Sequence, residues 1–246
     1  MADSPFQATE LAARIDQIMP LLVAGHGHHA WHSHNDPLDE LIATVLSQHT
    51  SDINTERAFA SLKRAFPTWE VVRTASTAAV ADAIRSGGLA GIKAPRIQSI
   101  LTAIMAERGS YDLSHLESVG LPDAQKWLVG LPGVGPKTAA CVLLFSLGRP
   151  ALPVDTHVHR VSKRLGLIGP TVSAEAAHAI LEAGLGGDRD RVYDFHLTMI
   201  AHGRTICTAR RPLCERCSLT EQCDYFITAN HTGPRPPSAP SPPSGR

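Results

Sequence analysis

The sequence lacks any apolar run long enough to span a bilayer, which argues against an integral membrane protein. Its first residues, MADSPFQATELAARIDQ, also lack the basic-then-apolar pattern of a secretory signal. A cytoplasmic or nucleoid-associated protein of a prokaryotic-type cell is therefore the expectation. A chain of 246 residues is long enough to bury a substantial core, in one large domain or two small ones.

No segment shows the sustained alternation of apolar and polar residues that is typical of a half-buried strand. Apolar residues instead recur at helical spacing along almost the whole chain, as in the stripe Leu11, Ile15, Ile18 and Leu22. The pattern predicts an all-α fold with roughly ten short helices and no internal repeat.

The chain has no net charge, since 23 basic residues balance 23 acidic ones. Their distribution is uneven, however, and phosphate binding depends on the local field rather than on the total charge. The stretch 131–164 carries five bases against one acid, and a second basic stretch covers 203–217. Solvated helix faces would explain either stretch alone. The five bases of the first stretch are Lys137, Arg149, Arg160, Lys163 and Arg164.

Cysteine is scarce, with five residues in all, yet four of them fall within seventeen positions in a C-x6-C-x2-C-x5-C pattern. Without a secretory signal, such crowding favours a metal or cluster site over a disulfide framework. Four thiolates could hold zinc or an iron–sulfur cluster, and zinc sites more commonly use two short pairs. The fifth cysteine, Cys141, lies in an apolar run and is expected to be a buried, inert thiol. The four clustered residues are Cys207, Cys214, Cys217 and Cys223.

The segment LPGVGPKTA (131–139) predicts a tight turn between two helices. Gly133 and Gly135 allow positive φ angles and leave backbone N–H groups uncovered, and Pro136 suits the first position of a helix. Amides at such a helix start, together with the helix dipole, form a cradle for phosphate. We therefore expect this hairpin to grip a nucleic-acid backbone without reading its sequence.

Lys137 follows in the first turn of the second helix. A lysine reaching phosphate or solvent is the simpler interpretation. The alternative is a nucleophilic amine, whose pKa we expect to fall beside the positive end of the helix and other bases. Asp155 is the only acid in this basic stretch. It could cap the helix that follows it, and it could also stabilise positive charge on a sugar ring.

LPGVGPKTA, followed after eighteen positions from Lys137 to Asp155 by VDTHVHR, resembles the endonuclease III family of helix-hairpin-helix DNA glycosylases. The likeness runs from about Pro37 to Tyr225. It implies that Lys137 attacks C1′ of a damaged nucleotide, expels the base and forms a Schiff base that undergoes β-elimination, while Asp155 assists glycosidic cleavage. The expected function is a bifunctional DNA glycosylase and AP lyase acting on oxidised pyrimidines in duplex DNA.

The resemblance implies further DNA contacts. Gln48 and His49 match the loop that fills the gap left by a flipped base, although His49 stands where an amide is expected. Leu89, on the glycine loop GGLAGIK, would wedge into the base stack. Both loops could instead be ordinary, with polar helix-end residues and a leucine folded back onto the core. The remaining DNA-binding residues predicted are Gly133, Gly135, His157, Arg210 and Arg211.

The resemblance also implies a [4Fe–4S] cluster on Cys207, Cys214, Cys217 and Cys223, which would present a basic loop to phosphate. The architecture implied has two lobes: a six-helix barrel with the hairpin (36–149), and a cluster lobe (8–35 and 150–227). The Pro/Ser-rich tail (228–246) is predicted to be disordered. A monomer acting on double-stranded DNA with damaged bases or abasic sites is expected.

Two other functions stay open on the same scaffold: a glycosylase for mismatched or alkylated bases, and a non-catalytic module that only grips DNA. A grip alone would need neither Lys137, Asp155 nor the four cysteines. The histidine-rich segment HGHHAWHSH (26–34) is interpreted as an exposed loop, with metal binding as the alternative.

Overall fold

The computed structural model describes residues 8–231, and every regular element in that range is helical. The α-helices are α1 (Ala8–His26), α2 (Pro37–Ser47), α3 (Asp52–Ala65), α4 (Trp69–Thr74), α5 (Thr77–Ala83), α6 (Ala90–Arg108), α7 (Leu121–Val129), α8 (Pro136–Cys141), α9 (Thr156–Arg164), α10 (Ala174–Leu185), α11 (Arg189–Thr205) and α12 (Asp224–His231). A π-helical turn, Val142–Ser146, continues α8, and short 3₁₀ turns lie at Arg85–Gly87, Ser114–Glu117, Cys214–Arg216 and Thr220–Gln222. The all-α prediction is confirmed.

The last helix, α12, continues to His231, so four residues of the stretch predicted as tail, 228–231, are helical. The rest of that predicted tail, 232–246, lies outside the described residues. Within the described part of the chain, no helix is both long and apolar enough to cross a membrane.

Short polar side chains start most of the helices. The Asp36 carboxylate accepts a hydrogen bond from the Leu38 N–H at 3.0 Å, and Pro37 occupies the first helical position, where no N–H is needed. Side chains at six other starts accept a hydrogen bond from an N–H in the first turn in the same way. They belong to Ser51, Thr68, Ser76, Asp155, Ser173 and Asp188.

Two hydrophobic cores divide the molecule. The first core consists of buried apolar residues between Leu38 and Ala151, and Leu144 within that stretch belongs to the second core. The second joins the apolar stripe of α1 to Leu144 and to residues between Leu152 and Leu219. The chain therefore passes from one core to the other just before Asp155. The residue boundaries given above for the two lobes stay a prediction.

The π-helical turn is covered by the histidine-rich segment. The indole N–H of Trp31 donates to the carbonyl of Leu144 at 2.7 Å, and the backbone N–H of His34 donates to that of Phe145 at 3.0 Å. The His34 ring also stacks on Phe145, with centroids 4.8 Å apart. Apart from His26, which ends α1, the segment is a loop, as expected, and it packs on carbonyls at the end of the helix that carries Lys137.

Lys93, on α6, clamps two loops together. Its side chain is 1% exposed, and Nζ donates to the carbonyls of Leu46 at 2.7 Å and Gly87 at 2.8 Å. Burial lowers the pKa of this amine. The clamp joins the end of α2, next to Gln48, to the glycine loop that carries Leu89.

Replacing Lys93 by Met should destabilise the protein by about 2–4 kcal/mol, because two buried carbonyls lose their donor. Urea denaturation followed by circular dichroism measures the change. Lys126→Met, at an exposed position of α7, is the matched control and should change the free energy of unfolding by less than about 0.5 kcal/mol. Equal effects of the two substitutions would contradict the clamp.

Candidate active site

The glycine hairpin joins α7 to α8 and depends on its two glycines in different ways. Gly133 has φ +73°, and a Cβ added there would lie 2.7 Å from Nε of Arg96. Gly135 has φ −99°, so the positive φ expected there is wrong. No atom would lie within 4 Å of an added Cβ at Gly135, which leaves the start of α8 open to a close approach. Pro136 is the first residue of α8, as predicted.

Lys137 is the second residue of α8 and is half-buried. Its surroundings correct the expected direction of its pKa. Cys141, and then Asp155 and Glu40, raise the pKa of Lys137 and outweigh the lowering by burial. Burial raises the pKa of the Cys141 thiol, despite the Lys137 ammonium.

Asp155 is the N-cap of α9, as the sequence predicts. Its Oδ1 accepts hydrogen bonds from the N–H groups of His157 and Val158, both at 2.8 Å. The carboxylate acts on the pKa of Lys137 without forming a direct ion pair with it. Oδ1 is thus held by the helix start, and Oδ2 remains available for a group bound between the two side chains.

The segment that leads to Asp155 is fixed by side chains instead of by a helix or strand. The N–H of Leu152 donates to Oε1 of Glu182 at 2.8 Å, and the Leu152 carbonyl pairs with Nδ1 of His178 at 2.8 Å. The next carbonyl, of Pro153, pairs with Nδ1 of His196 at 2.9 Å. Burial raises the pKa of Glu182 and lowers that of His178. Three side chains from α10 and α11 therefore hold the carboxylate in position.

His196 interacts electrostatically with both predicted catalytic groups. Burial lowers its pKa to about 4, Asp155 opposes that shift, and Lys137 reinforces it. The imidazole is therefore neutral at physiological pH, and since Nδ1 donates to the Pro153 carbonyl, Nε2 carries a lone pair. Sequence analysis missed His178, Glu182 and His196, and their one signal is a polar residue within a buried helical stripe.

The two predicted insertion loops hold strained residues. His49 (φ 55°) and Leu89 (φ 50°) are the only non-glycine residues with positive φ in the described chain. His49 is exposed and Leu89 is 50% exposed, so this leucine does not fold back onto the core. Gln48 is half-buried, and its Oε1 accepts a hydrogen bond from Nη1 of Arg96 at 2.8 Å.

Arg96, which sequence analysis also missed, therefore links two of the predicted DNA-binding segments. Its guanidinium donates a hydrogen bond to the Gln48 side chain. The Arg96 side chain also lies against Gly133 of the hairpin. Only the tertiary structure brings these segments together.

The basic stretch is less free to bind phosphate than its charge suggests. Nη1 of Arg149 donates to three carbonyls, the shortest bond being 2.7 Å to Leu116. Arg160 donates to the carbonyls of Gly203 and Cys207, and to Nδ1 of the half-buried His157. Arg164 is likewise bonded to the cysteine loop. Three of the five bases, Arg149, Arg160 and Arg164, thus bond to groups within the protein, so the charge of this stretch overstates what is free to meet phosphate.

The four clustered cysteines line one cavity. Nη1 of Arg164 donates to Sγ of Cys207 at 3.2 Å, and the Arg164 guanidinium lies 4.9 Å from the ring centroid of Tyr225. Among the described residues, no three His, Cys, Asp or Glu side chains are placed to hold a single metal ion. Thiolates arranged around a cavity fit a polynuclear cluster better than one zinc ion. Arg210 and Arg211 are exposed on the loop between the first two cysteines.

Known protein families match both the segment with the hairpin and Asp155 and the segment with the four cysteines. Residues 42–185 match the model of the HhH-GPD superfamily of base excision DNA repair proteins. Residues 207–223 match the iron–sulfur binding domain of endonuclease III.

Individual relatives agree. The chain is 37% identical over 198 residues to endonuclease III of Thermotoga maritima, which covers 79% of this chain and 86% of that protein. An Arabidopsis thaliana protein with a provisional DNA glycosylase name is 38% identical over 171 residues, covering 70% of this chain and 57% of its own length. A solved structure of a trapped covalent intermediate of endonuclease III with DNA has a TM-score of 0.72 at 28% identity, covering 92% of this chain and 99% of that chain.

Gly133→Ala should destabilise the protein by about 1–3 kcal/mol, because the new methyl group meets Arg96 at a positive φ. Gly135→Ala is the matched control at an open position with negative φ, and it should change stability by less than about 0.5 kcal/mol. Thermal unfolding of the two variants measures the difference. Equal melting temperatures would show that Arg96 does not constrain the hairpin.

Proposed function

This chain belongs to the endonuclease III family of HhH-GPD base excision DNA repair proteins, and from that membership we propose that it removes oxidised pyrimidines from duplex DNA through a Schiff base on Lys137. As a member of the family it is a DNA glycosylase with AP lyase activity and carries a [4Fe–4S] cluster. The damaged base and the covalent chemistry are our proposal.

The observation that carries the proposal is the pairing of Lys137 with Asp155. The two side chains come from the starts of α8 and α9, interact through their charges, and are not joined by a direct ion pair. A deoxyribose between them would have an amine on one side and the free Oδ2 on the other. The related endonuclease III structure trapped as a covalent intermediate with DNA supports a covalent route.

In the proposed reaction, the neutral Lys137 amine forms a bond from Nζ to C1′ while the glycosidic bond breaks. The electron pair of that bond leaves with the base, and Asp155 stabilises the positive charge that develops on the sugar. Ring opening gives the Schiff base, and loss of a C2′ proton expels the 3′ phosphate. Hydrolysis then releases Lys137.

The strained loops fit the extrusion of a base from double-stranded DNA. In this proposal the exposed Leu89 side chain enters the stack, while Gln48 and His49 meet the bases left behind. The cluster would act as a folding staple that presents Arg210 and Arg211 to phosphate. We further propose that the protein acts as a monomer in the cytoplasm, at the nucleoid.

Borohydride should trap wild-type protein on duplex DNA containing thymine glycol or an abasic site, because it reduces the Schiff base to a stable amine. Lys137→Ala should abolish trapping, and Asp155→Asn should slow it by about 100-fold or more on thymine glycol. Gel electrophoresis of the covalent complex measures both effects. Lys126→Ala, at an exposed lysine, is the control and should trap like the wild type.

A wild-type protein that traps on neither substrate would refute the Schiff-base proposal. A panel of duplexes with oxidised, alkylated and mismatched bases separates the proposed substrate class from the alternative. Base release from mismatched or alkylated duplexes alone would overturn the assignment to oxidised pyrimidines.

The rate of trapping should rise with pH from mildly acidic to alkaline solution. The pKa of Lys137 is raised, so the amine is protonated at neutral pH and the nucleophilic fraction grows as pH increases. Glu40→Gln removes one of the acids that raise this pKa, and the pH profile should therefore move to lower pH. The same change at the exposed Glu117 should leave the profile in place. Coincident profiles for Glu40→Gln and wild type would contradict this electrostatic account.

A further inference from the structure

Two histidines connect the N-terminal helix to the cysteine cavity. His26, the last residue of α1, places Nε2 3.1 Å from Nδ1 of His202 on α11. The other ring nitrogen of His202, Nε2, lies 3.7 Å from Sγ of Cys217. The two rings meet edge to face, with centroids 5.3 Å apart and an interplanar angle of 76°. His202 is 3% exposed and lines the cavity together with the four cysteines.

The chemistry of the acceptor fixes the direction of these hydrogen bonds. A cysteine that ligates iron is a thiolate, which can only accept, so Nε2 of His202 must carry the hydrogen. A neutral imidazole carries a single N–H. Nδ1 of His202 is then an acceptor, and His26 donates to it from Nε2.

We propose that His202 is a positioning residue of the iron–sulfur cluster: it donates a hydrogen bond to the Cys217 thiolate, and His26 holds its ring in the tautomer that can do so. Hydrogen bonds to cluster sulfurs stabilise the more electron-rich state and raise the reduction potential. The two histidines therefore raise the reduction potential of the cluster. This inference rests on the cluster and is independent of the roles proposed for Lys137 and Asp155.

The arrangement also gives the first histidine of the histidine-rich segment a role. His26 and His202 are 176 positions apart in sequence, and α1 packs against α10 and α11 in the second core. The hydrogen bond between them adds a polar contact to that packing at the edge of the cavity. An N-terminal element is thereby connected to a ligand near the other end of the chain.

The test is the reduction potential of the purified holoprotein, measured by protein-film voltammetry. His202→Phe keeps an aromatic ring and removes the donor, so the potential should become more negative. His26→Phe leaves the donor in place and removes the group that orients it, and it should give a smaller shift in the same direction. His159→Phe is the matched control, because His159 lies in the same lobe and bonds to the Val172 carbonyl at 2.9 Å, outside the cavity lining. Its potential should equal that of the wild type.

Potentials for His202→Phe and His26→Phe that both equal the wild-type value would overturn the proposal. An equal shift in His159→Phe would overturn it as well, since the effect would then come from general loosening of the lobe. If His202→Phe does not retain iron, the half-buried His26 supplies the deciding variant. Iron content and the visible absorption spectrum establish that each protein compared carries a complete cluster.

Discussion

The architecture of the site depends on one requirement: a buried, irregular stretch of backbone must have its polar groups satisfied. Leu152 and Pro153 cross from one core to the other without helix or strand partners, and unpaired peptide groups there would cost several kcal/mol, about 1–3 for each. The side chains of His178, Glu182 and His196 meet this requirement. Because that stretch ends at Asp155, the same bonds that make it stable also fix the position of a carboxylate that raises the pKa of Lys137.

Two long basic side chains likewise fix loops around the first core by donating hydrogen bonds to them. Lys93 holds the carbonyls of Leu46 and Gly87, and Arg96 holds Gln48 beneath the hairpin. The backbone strain at His49 and Leu89 is thus retained at the edges of well-fixed loops. Basic residues in this protein are therefore as much internal donors as contacts for DNA. Counting charges along the sequence could not distinguish these two uses, because the sequence does not show which basic side chains bond to backbone carbonyls.

Local features were predictable from sequence because they depend on neighbouring residues. The helices, the Asp155 cap, Pro136 at the start of α8 and the spacing of the cysteines all belong to this class. Features that depend on contact between distant segments were missed or wrong. The pKa of Lys137 was expected to fall because the helix start and nearby bases were considered, whereas Cys141 on the same helix, and then Asp155 and Glu40 from other elements, raise it. Arg96, His196 and His202 were overlooked for the same reason.

Helix α9 connects Asp155 to the loop that carries the clustered cysteines. Its first turn binds the Asp155 carboxylate, and its last turns carry Arg160 and Arg164, which bond to carbonyls of the loop that begins at Cys207. The helix thus begins at Asp155, a predicted catalytic residue, and ends at the cysteine loop. The fold of the cysteine loop and the position of the Asp155 carboxylate are therefore coupled through a single short helix.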